Sequence, residues 1–143
     1  MKTLKQILDT KDIKELLTIS PTQTVIEALM VMAEYKIGAL LVTNKDKMVG
    51  IVSERDYARE IILHKKSSKE TLVKDIMTKK VLSLQPSDSF KKGLETMSEK
   101  KIRHIPVLKG NKIIGMVSQG DLVKEMISHQ KDLISQLESF IQN

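Results

Sequence analysis

The stretch "KMVGIVSERD", residues 47–56, returns later in the chain as "KIIGMVSQGD", residues 112–121. Each copy reads as an apolar strand with a glycine in its middle, running straight into a Ser-x-x-Asp helix start. Working outward, an offset of 65 carries Leu17–Leu63 onto Leu82–Ser128 without a gap, and about a third of the aligned positions are identical. Pro21 falls on Pro86, Leu29 on Leu94, Met32 on Met97, Ile37 on Ile102, Val42 on Val107, Gly50 on Gly115, Ser53 on Ser118 and Asp56 on Asp121. A register kept this long marks a duplicated supersecondary unit.

Each copy has the same element order. A short strand comes first, Leu17 to Ser20 or Val81 to Leu84, and Pro21 or Pro86 ends it, since proline cannot donate to a ladder. A helix follows. Val25, Ala28, Leu29, Met32 and Ala33 form one apolar stripe, and Phe90, Leu94 and Met97 hold the same face in the second copy. Two strands come next, "GALLVT" with "KMVGIVS" and "HIPVL" with "KIIGMVS", joined by the polar turns "NKDK" and "KGNK". A second helix starts near Asp56 or Asp121. The expected fold is therefore α/β: two repeats of strand-helix-strand-strand-helix, related by a pseudo-two-fold axis.

The expected division is residues 1–65 for a lead-in and the first repeat, 66–128 for a linker and the second repeat, and 129–143 for a C-terminal helical extension. The linker "ILHKKSSKETLVKDIMT" begins as a Lys-Ser-rich loop and ends as a short helical lead-in, like "LKQIL" near the N-terminus. One unit of about 60 residues is marginal alone. Along the C-terminal "LVKEMISHQKDLISQLESFIQN", Met126, Leu133, Leu137, Phe140 and Ile141 make an apolar stripe that either folds back or meets a second copy.

Composition removes several function classes. There is no cysteine, hence no disulfide, thiolate nucleophile or Cys-ligated zinc. No apolar run approaches the ~20 residues of a membrane helix, and charges interrupt the N-terminal "MKTLKQILDTKDIKELL" throughout, so a cytoplasmic protein is expected. The net charge is +6, but the lysines are interleaved with acids and aromatics are only 3% of residues. A solvated lysine-rich surface accounts for that better than a base-stacking nucleic-acid face. His64 and His129 share no converging spacing, so no metal site is expected. The eight methionines read as mostly core positions.

The shared Gly-h-h-Ser-x-x-Asp, with h apolar, has two readings. The serine hydroxyl and helix-start N–H groups can hold a phosphate. An ionised aspartate only accepts hydrogen bonds and can grip the two hydroxyls of a ribose. Ser-x-x-Asp before a helix is equally a capping box, which needs no ligand. Both readings stand at this point.

The Pro-bounded first strand, "KIGALLV" and "KIRHIPV" in the second strands, and the doubled "GIVSERD" and "GMVSQGD" together resemble the CBS domain family. "SERDYAREI" and "VSQGDLVKEMI" are especially similar to small bacterial proteins consisting of little but a CBS pair. The resemblance spans nearly the whole chain. It implies a regulatory module that binds adenosine derivatives without turning them over, with no cofactor required and no catalytic residue. AMP is the first expected ligand, with NAD, ADP and ATP close behind; homodimerisation is usual for the family. It also implies sites shared between repeats: Ser53, Arg55 and Asp56 with Ile102, Arg103 and His104; Ser118 and Asp121 with Ile37, Gly38, Ala39 and Arg103. The aspartate would hold ribose, strand backbone would read the adenine edge, and Ser, Arg and His would face phosphate. Arg55 is matched by Gly120, and Gly38 and Ala39 by Arg103 and His104, so unequal sites are expected. The rival readings are an enzyme acting on nucleotides, a basic nucleic-acid binder and a ligand-free dimerisation scaffold. The regulated partner is not legible in the residues.

Overall fold

The computed structural model describes residues 1–11 and 16–142. The described residues form two compact units, one of residues 16–82 and the other of residues 1–11 with 83–142. The duplication accounts for both, but the lead-ins are exchanged relative to chain order.

The first-repeat unit carries β1 (Thr18–Ile19), α2 (Val25–Tyr35), β2 (Ala39–Asn44), β3 (Lys47–Ser53) and α3 (Glu54–Tyr57). Its sheet order is β1-β2-β3, with β1 parallel to β2 and β2 antiparallel to β3. Thr24 caps α2 by a reciprocal box with Glu27, and Lys36 ends it in the left-handed region at φ 54°. The β2–β3 turn has two residues, Lys45 and Asp46, both at positive φ, as a twisted hairpin requires. Val25, Ala28 and Met32 of the expected stripe are buried, Leu29 is half-buried, and Ala33 is exposed. After α3 the chain widens into one π-helical turn, Ala58–Ile62.

The second-repeat unit carries α1 (Leu4–Asp9), α4 (Phe90–Lys100), β4 (His104–Lys109), β5 (Lys112–Ser118) and α5 (Gln119–Gln142). The expected strand at Val81–Leu84 shrinks to one parallel bridge, Leu84 to Val107. Pro106, its neighbour on β4, has no N–H to lengthen the ladder. The second helices also differ: α3 has 4 residues and α5 has 24. Asn143, the last residue of the expected extension, lies outside the described residues.

The lead-ins explain the exchange. Val73, in a 3-10 turn Val73–Asp75, donates to the Gln23 carbonyl, and Lys74 donates to Pro21. In the second-repeat unit Leu4 donates to Asp88 and Lys5 to Pro86, the equivalent positions. Val73 and Ile76 lie in the first core; Leu4 and Ile7 lie in the second. Thus "LKQIL", placed with the first repeat by chain order, packs on the second, and the end of the linker closes the first. An amphipathic turn docks where its apolar face is buried, whatever its place along the chain.

This packing also accounts for the repeated glycine, which faces protein. A Cβ on Gly50 would sit 2.7 Å from Met77 Sδ and 2.9 Å from the Thr78 carbonyl oxygen; on Gly115 it would sit 3.0 Å from Leu8 Cδ2. Thr78 and Ile51 bond backbone to backbone at that point, so the carbonyl cannot retreat. Gly50→Ala is expected to destabilise the protein by about 1–3 kcal/mol. Gly115→Ala, which meets only side-chain methyls, should lose less; denaturant midpoints of the two variants check the order.

The methionines depart from expectation. Met32 and Met97 are buried, whereas Met1, Met30 and Met126 are exposed and the other three are half-buried. The exposed ones fall away from the core-facing stripes of their helices or at the chain end.

Candidate functional site

Each repeat builds the same corner from its own elements. A left-handed lysine, Lys36 or Lys101, ends the first helix and turns the chain into β2 or β4. Ile37 and Ile102 then donate to the Met32 and Met97 carbonyls, so their side chains pack on the cores and their backbone enters the strand. Strand pairing sets Ala39 opposite Ser53 and His104 opposite Ser118. The helix start is tied to the same corner, with Glu54 N–H donating to the Gly38 carbonyl at 3.1 Å and Gln119 N–H to the Arg103 carbonyl at 2.8 Å. Within its own unit, each Ser-x-x-Asp therefore lies beside its own repeat's strand start: Ile37, Gly38 and Ala39 in one, Ile102, Arg103 and His104 in the other.

Both capping boxes form. Asp56 Oδ2 accepts from the Ser53 N–H at 2.9 Å and from the Ser53 hydroxyl at 3.1 Å, and Asp56 N–H donates to Ser53 Oγ at 3.2 Å. Asp121 Oδ2 accepts from Ser118 N–H at 2.8 Å, and Asp121 N–H donates to Ser118 Oγ at 3.1 Å. The cap thus uses Oδ2 in both copies, and Oδ1 takes no part in it. A carboxylate has about four lone-pair sites, so capping and gripping a ribose are compatible roles. The Ser, Glu54 or Gln119, and Asp N–H groups at each corner are engaged within the protein.

Charge separates the copies. In the second-repeat unit Arg103 is exposed and His104 half-buried. Burial pushes the His104 imidazole below its ordinary value, Asp121 pulls it back up, and Lys11 and Arg103 press it down. Burial works to raise the Asp121 carboxyl, but the Ser118 N–H and the Lys11 ammonium outweigh it and hold it below the usual carboxylate range. Lys11 Nζ lies 3.0 Å from Asp121 Oδ2 and donates to the Met116 carbonyl at 2.9 Å. In the first-repeat unit Arg55 is exposed and Asp56 is 8% exposed. At the Arg55 position the second copy has Gly120, where an added Cβ would have only Ser118 Oγ nearby, at 3.7 Å.

Sequence reasoning missed Lys11. The signal was a second offset, 69, which sets "LKQI" on "VKDI" and shows that the lead-ins are themselves a repeat. Among the described residues no group of three His, Cys, Asp or Glu is placed to hold a metal ion, and no helix is long and apolar enough to cross a membrane.

The family model for the CBS domain matches this chain twice, over residues 6–63 and 73–128. The chain belongs to the CBS domain family. As a tandem CBS protein it has near neighbours of known structure. A CBS-domain protein from Burkholderia ambifaria is 46% identical, with a TM-score of 0.86, covering 90% of this chain and 96% of that one. Another, from Agrobacterium tumefaciens, is 31% identical with a TM-score of 0.81, covering 87% and 99%. The CBS domain-containing protein CBSX3 of Arabidopsis thaliana is 38% identical over 124 residues, 83% of this chain. The tandem CBS chain spans about 60% of the length of that curated relative and 58% of another, from Methanopyrus kandleri. It also matches 22% of an inosine-5'-monophosphate dehydrogenase, at 36% identity, and 22% of a homoserine O-acetyltransferase, at 35%. A CBS pair that is 22% identical, with a TM-score of 0.79, was solved with 5'-methylthioadenosine and S-adenosyl-L-methionine.

Proposed function

We propose that this tandem CBS chain is a regulatory module that binds an adenine nucleotide, AMP first and NAD, ADP or ATP next, and catalyses nothing. The observation that carries the reading is the doubled Ser-x-x-Asp corner, where capping occupies Oδ2 and leaves Oδ1 to a ribose. Strand backbone at Ile37–Ala39 and Ile102–His104 reads the adenine edge, and Arg55, Arg103 and His104 face phosphate. These cations rank a phosphorylated ligand above S-adenosylmethionine, although a pair of similar fold holds that molecule. The non-enzymatic reading has separate support. Stretches similar to this chain recur in two enzymes of unrelated chemistry, a dehydrogenase and an acyltransferase. A part common to both is not the part that makes either reaction. Binding would stabilise the corners and change the surface shown to a regulated partner.

Mass spectrometry of the nucleotide released when the purified protein is heat-denatured tests the reading. An adenine nucleotide at stoichiometric amounts supports it. Turnover of AMP, ATP or NAD by the protein would replace it with the enzyme reading.

One observation favours an assembly role beside ligand binding. Along α5, Val123, Met126, Leu133, Ile134, Leu137, Phe140 and Ile141 are 41–81% exposed. Val123, Met126, Gln130, Leu133, Leu137 and Phe140 follow alternating steps of three and four, the spacing of a helix seam. A seam of this kind is self-complementary, so the occupant we expect is a second copy of the chain. Light scattering over a concentration series should give a dimer mass, and Leu133→Glu with Leu137→Glu should return a monomer. A monomer throughout would refute the homodimer and leave ligand binding untouched.

A further inference from the structure

The second-repeat corner already holds a cation. Lys11 lies just beyond α1, and its ammonium bridges Asp121 Oδ2 at 3.0 Å and the Met116 carbonyl at 2.9 Å. Leu4 and Ile7 anchor α1 in the second core, so Lys11 is held at this place by the fold. The pair is about three-quarters buried, 28% and 24% exposed at the two side chains. Strand pairing puts His104 opposite Ser118, and the Arg103 carbonyl takes the Gln119 N–H, so Lys11, Arg103, His104, Ser118 and Asp121 converge within one unit.

We propose that Lys11 is a specificity-determining residue of the second-repeat corner, a tethered cation that admits phosphorylated adenine nucleotides and disfavours bare nucleosides. The proposal rests on the nucleotide-binding reading above. A ribose gripped at Asp121 Oδ1 draws on the same carboxylate charge as the Lys11 ammonium on Oδ2, so it weakens that ion pair. A nucleoside offers nothing in return, and the mostly buried ammonium is left with a weakened counter-charge and one carbonyl partner. A nucleotide brings its own anion, so the ammonium gains a charge-assisted contact to phosphate that makes good the weakened pair. While paired, Lys11 also cancels the negative charge of Asp121, which would otherwise repel an arriving phosphate. Both effects favour the phosphorylated ligand.

Amide NMR signals of Gln119, Gly120 and Asp121 report this corner separately from the first repeat. Titrations with AMP and with adenosine give an affinity ratio for the full chain. In Lys11→Met, which keeps the apolar stem and removes the charge, that ratio should fall about 5-fold or more, from tighter adenosine and weaker AMP. Lys11→Arg, which keeps the charge, should stay near the original ratio. In the unmutated chain the Lys11 side-chain signals should move with AMP over the same concentrations as the Gly120 amide, so the proposal stands or falls even if a variant folds poorly. An unchanged ratio in Lys11→Met, or Lys11 signals that stay still while AMP binds, overturns the proposal and leaves nucleotide binding intact. Failure of the unmutated chain to bind either ligand overturns both.

Discussion

Phe90→Ala should destabilise the protein by about 3–5 kcal/mol, the range for deleting a fully buried phenyl ring. Phe90 is the first residue of α4, is 0% exposed, and belongs to a core that also takes Leu4, Ile7, Met97 and Leu122. Those partners come from three places in the chain: the lead-in, α4 itself and α5. A cavity at Phe90 would therefore loosen the contacts that bind residues 1–11 to the second repeat. The ring also meets His129 edge to face, with centroids 5.5 Å apart, a contact that adds about 0.5–1.5 kcal/mol beyond area burial. Small domains are stable by about 5–15 kcal/mol, so the loss is a large share of the whole. Val25 holds the equivalent position in the first core and is equally buried, but its side chain is smaller. Val25→Ala should lose clearly less than Phe90→Ala. Urea midpoints measure both; a loss under 1 kcal/mol for Phe90→Ala would contradict the core described above.

Asp56→Asn and Asp121→Asn should weaken AMP binding more than they weaken the apo fold. Each aspartate closes a capping box through Oδ2, and asparagine still offers a carbonyl oxygen there, so the cap should lose little. A ribose gripped by a charged acceptor loses more, because hydrogen bonds to ionised groups are stronger than neutral ones. At least one variant should keep its apo melting temperature and bind AMP ~10-fold more weakly or worse, about 1.4 kcal/mol. The variants should differ, since Asp121 carries the Lys11 ion pair and Arg55 is matched by Gly120. In Asp121→Asn the Lys11 ammonium loses its anion, so some loss of apo stability belongs to that pair. Two variants that lose apo stability yet bind AMP unchanged would make both aspartates caps alone.

Much of this fold is legible in the residues, for reasons that can be named. A duplicated sequence declares its own element order, and periodicity placed α2, α4 and the two hairpins. The hairpin register follows from two-residue turns at Lys45–Asp46 and Gly110–Asn111. What failed was information that is not local. The lead-ins exchange repeats because apolar burial decides where a short amphipathic turn docks, and chain order carries no trace of that. The first strand of the second repeat shrank to a bridge because its partner holds Pro106, a fact about the neighbour and not about Val81–Leu84. The sequence does not say what approaches Gly50 and Gly115; in the structure it is Thr78 with Met77, and Leu8. The capping and ribose readings of Ser-x-x-Asp both stood in the sequence, and only the geometry could assign the cap to Oδ2. Lys11 was missed because the offset of 69 equates the lead-ins but nothing local in "LKQILDTK" marks it as facing a carboxylate 110 residues later.

The central claim is that this chain binds an adenine nucleotide, and its melting temperature with and without AMP tests that most directly. A ligand that binds the folded state alone stabilises it by ~2.7 kcal/mol at ~100 times its dissociation constant. For a protein of this size each kcal/mol raises the midpoint by roughly 2–4 °C, so a rise of roughly 5–11 °C is expected. NAD, ADP and ATP should give smaller rises, and inosine at the same concentration little or none. No rise with any adenine nucleotide at millimolar concentration, in protein shown to carry no bound nucleotide already, would contradict the account.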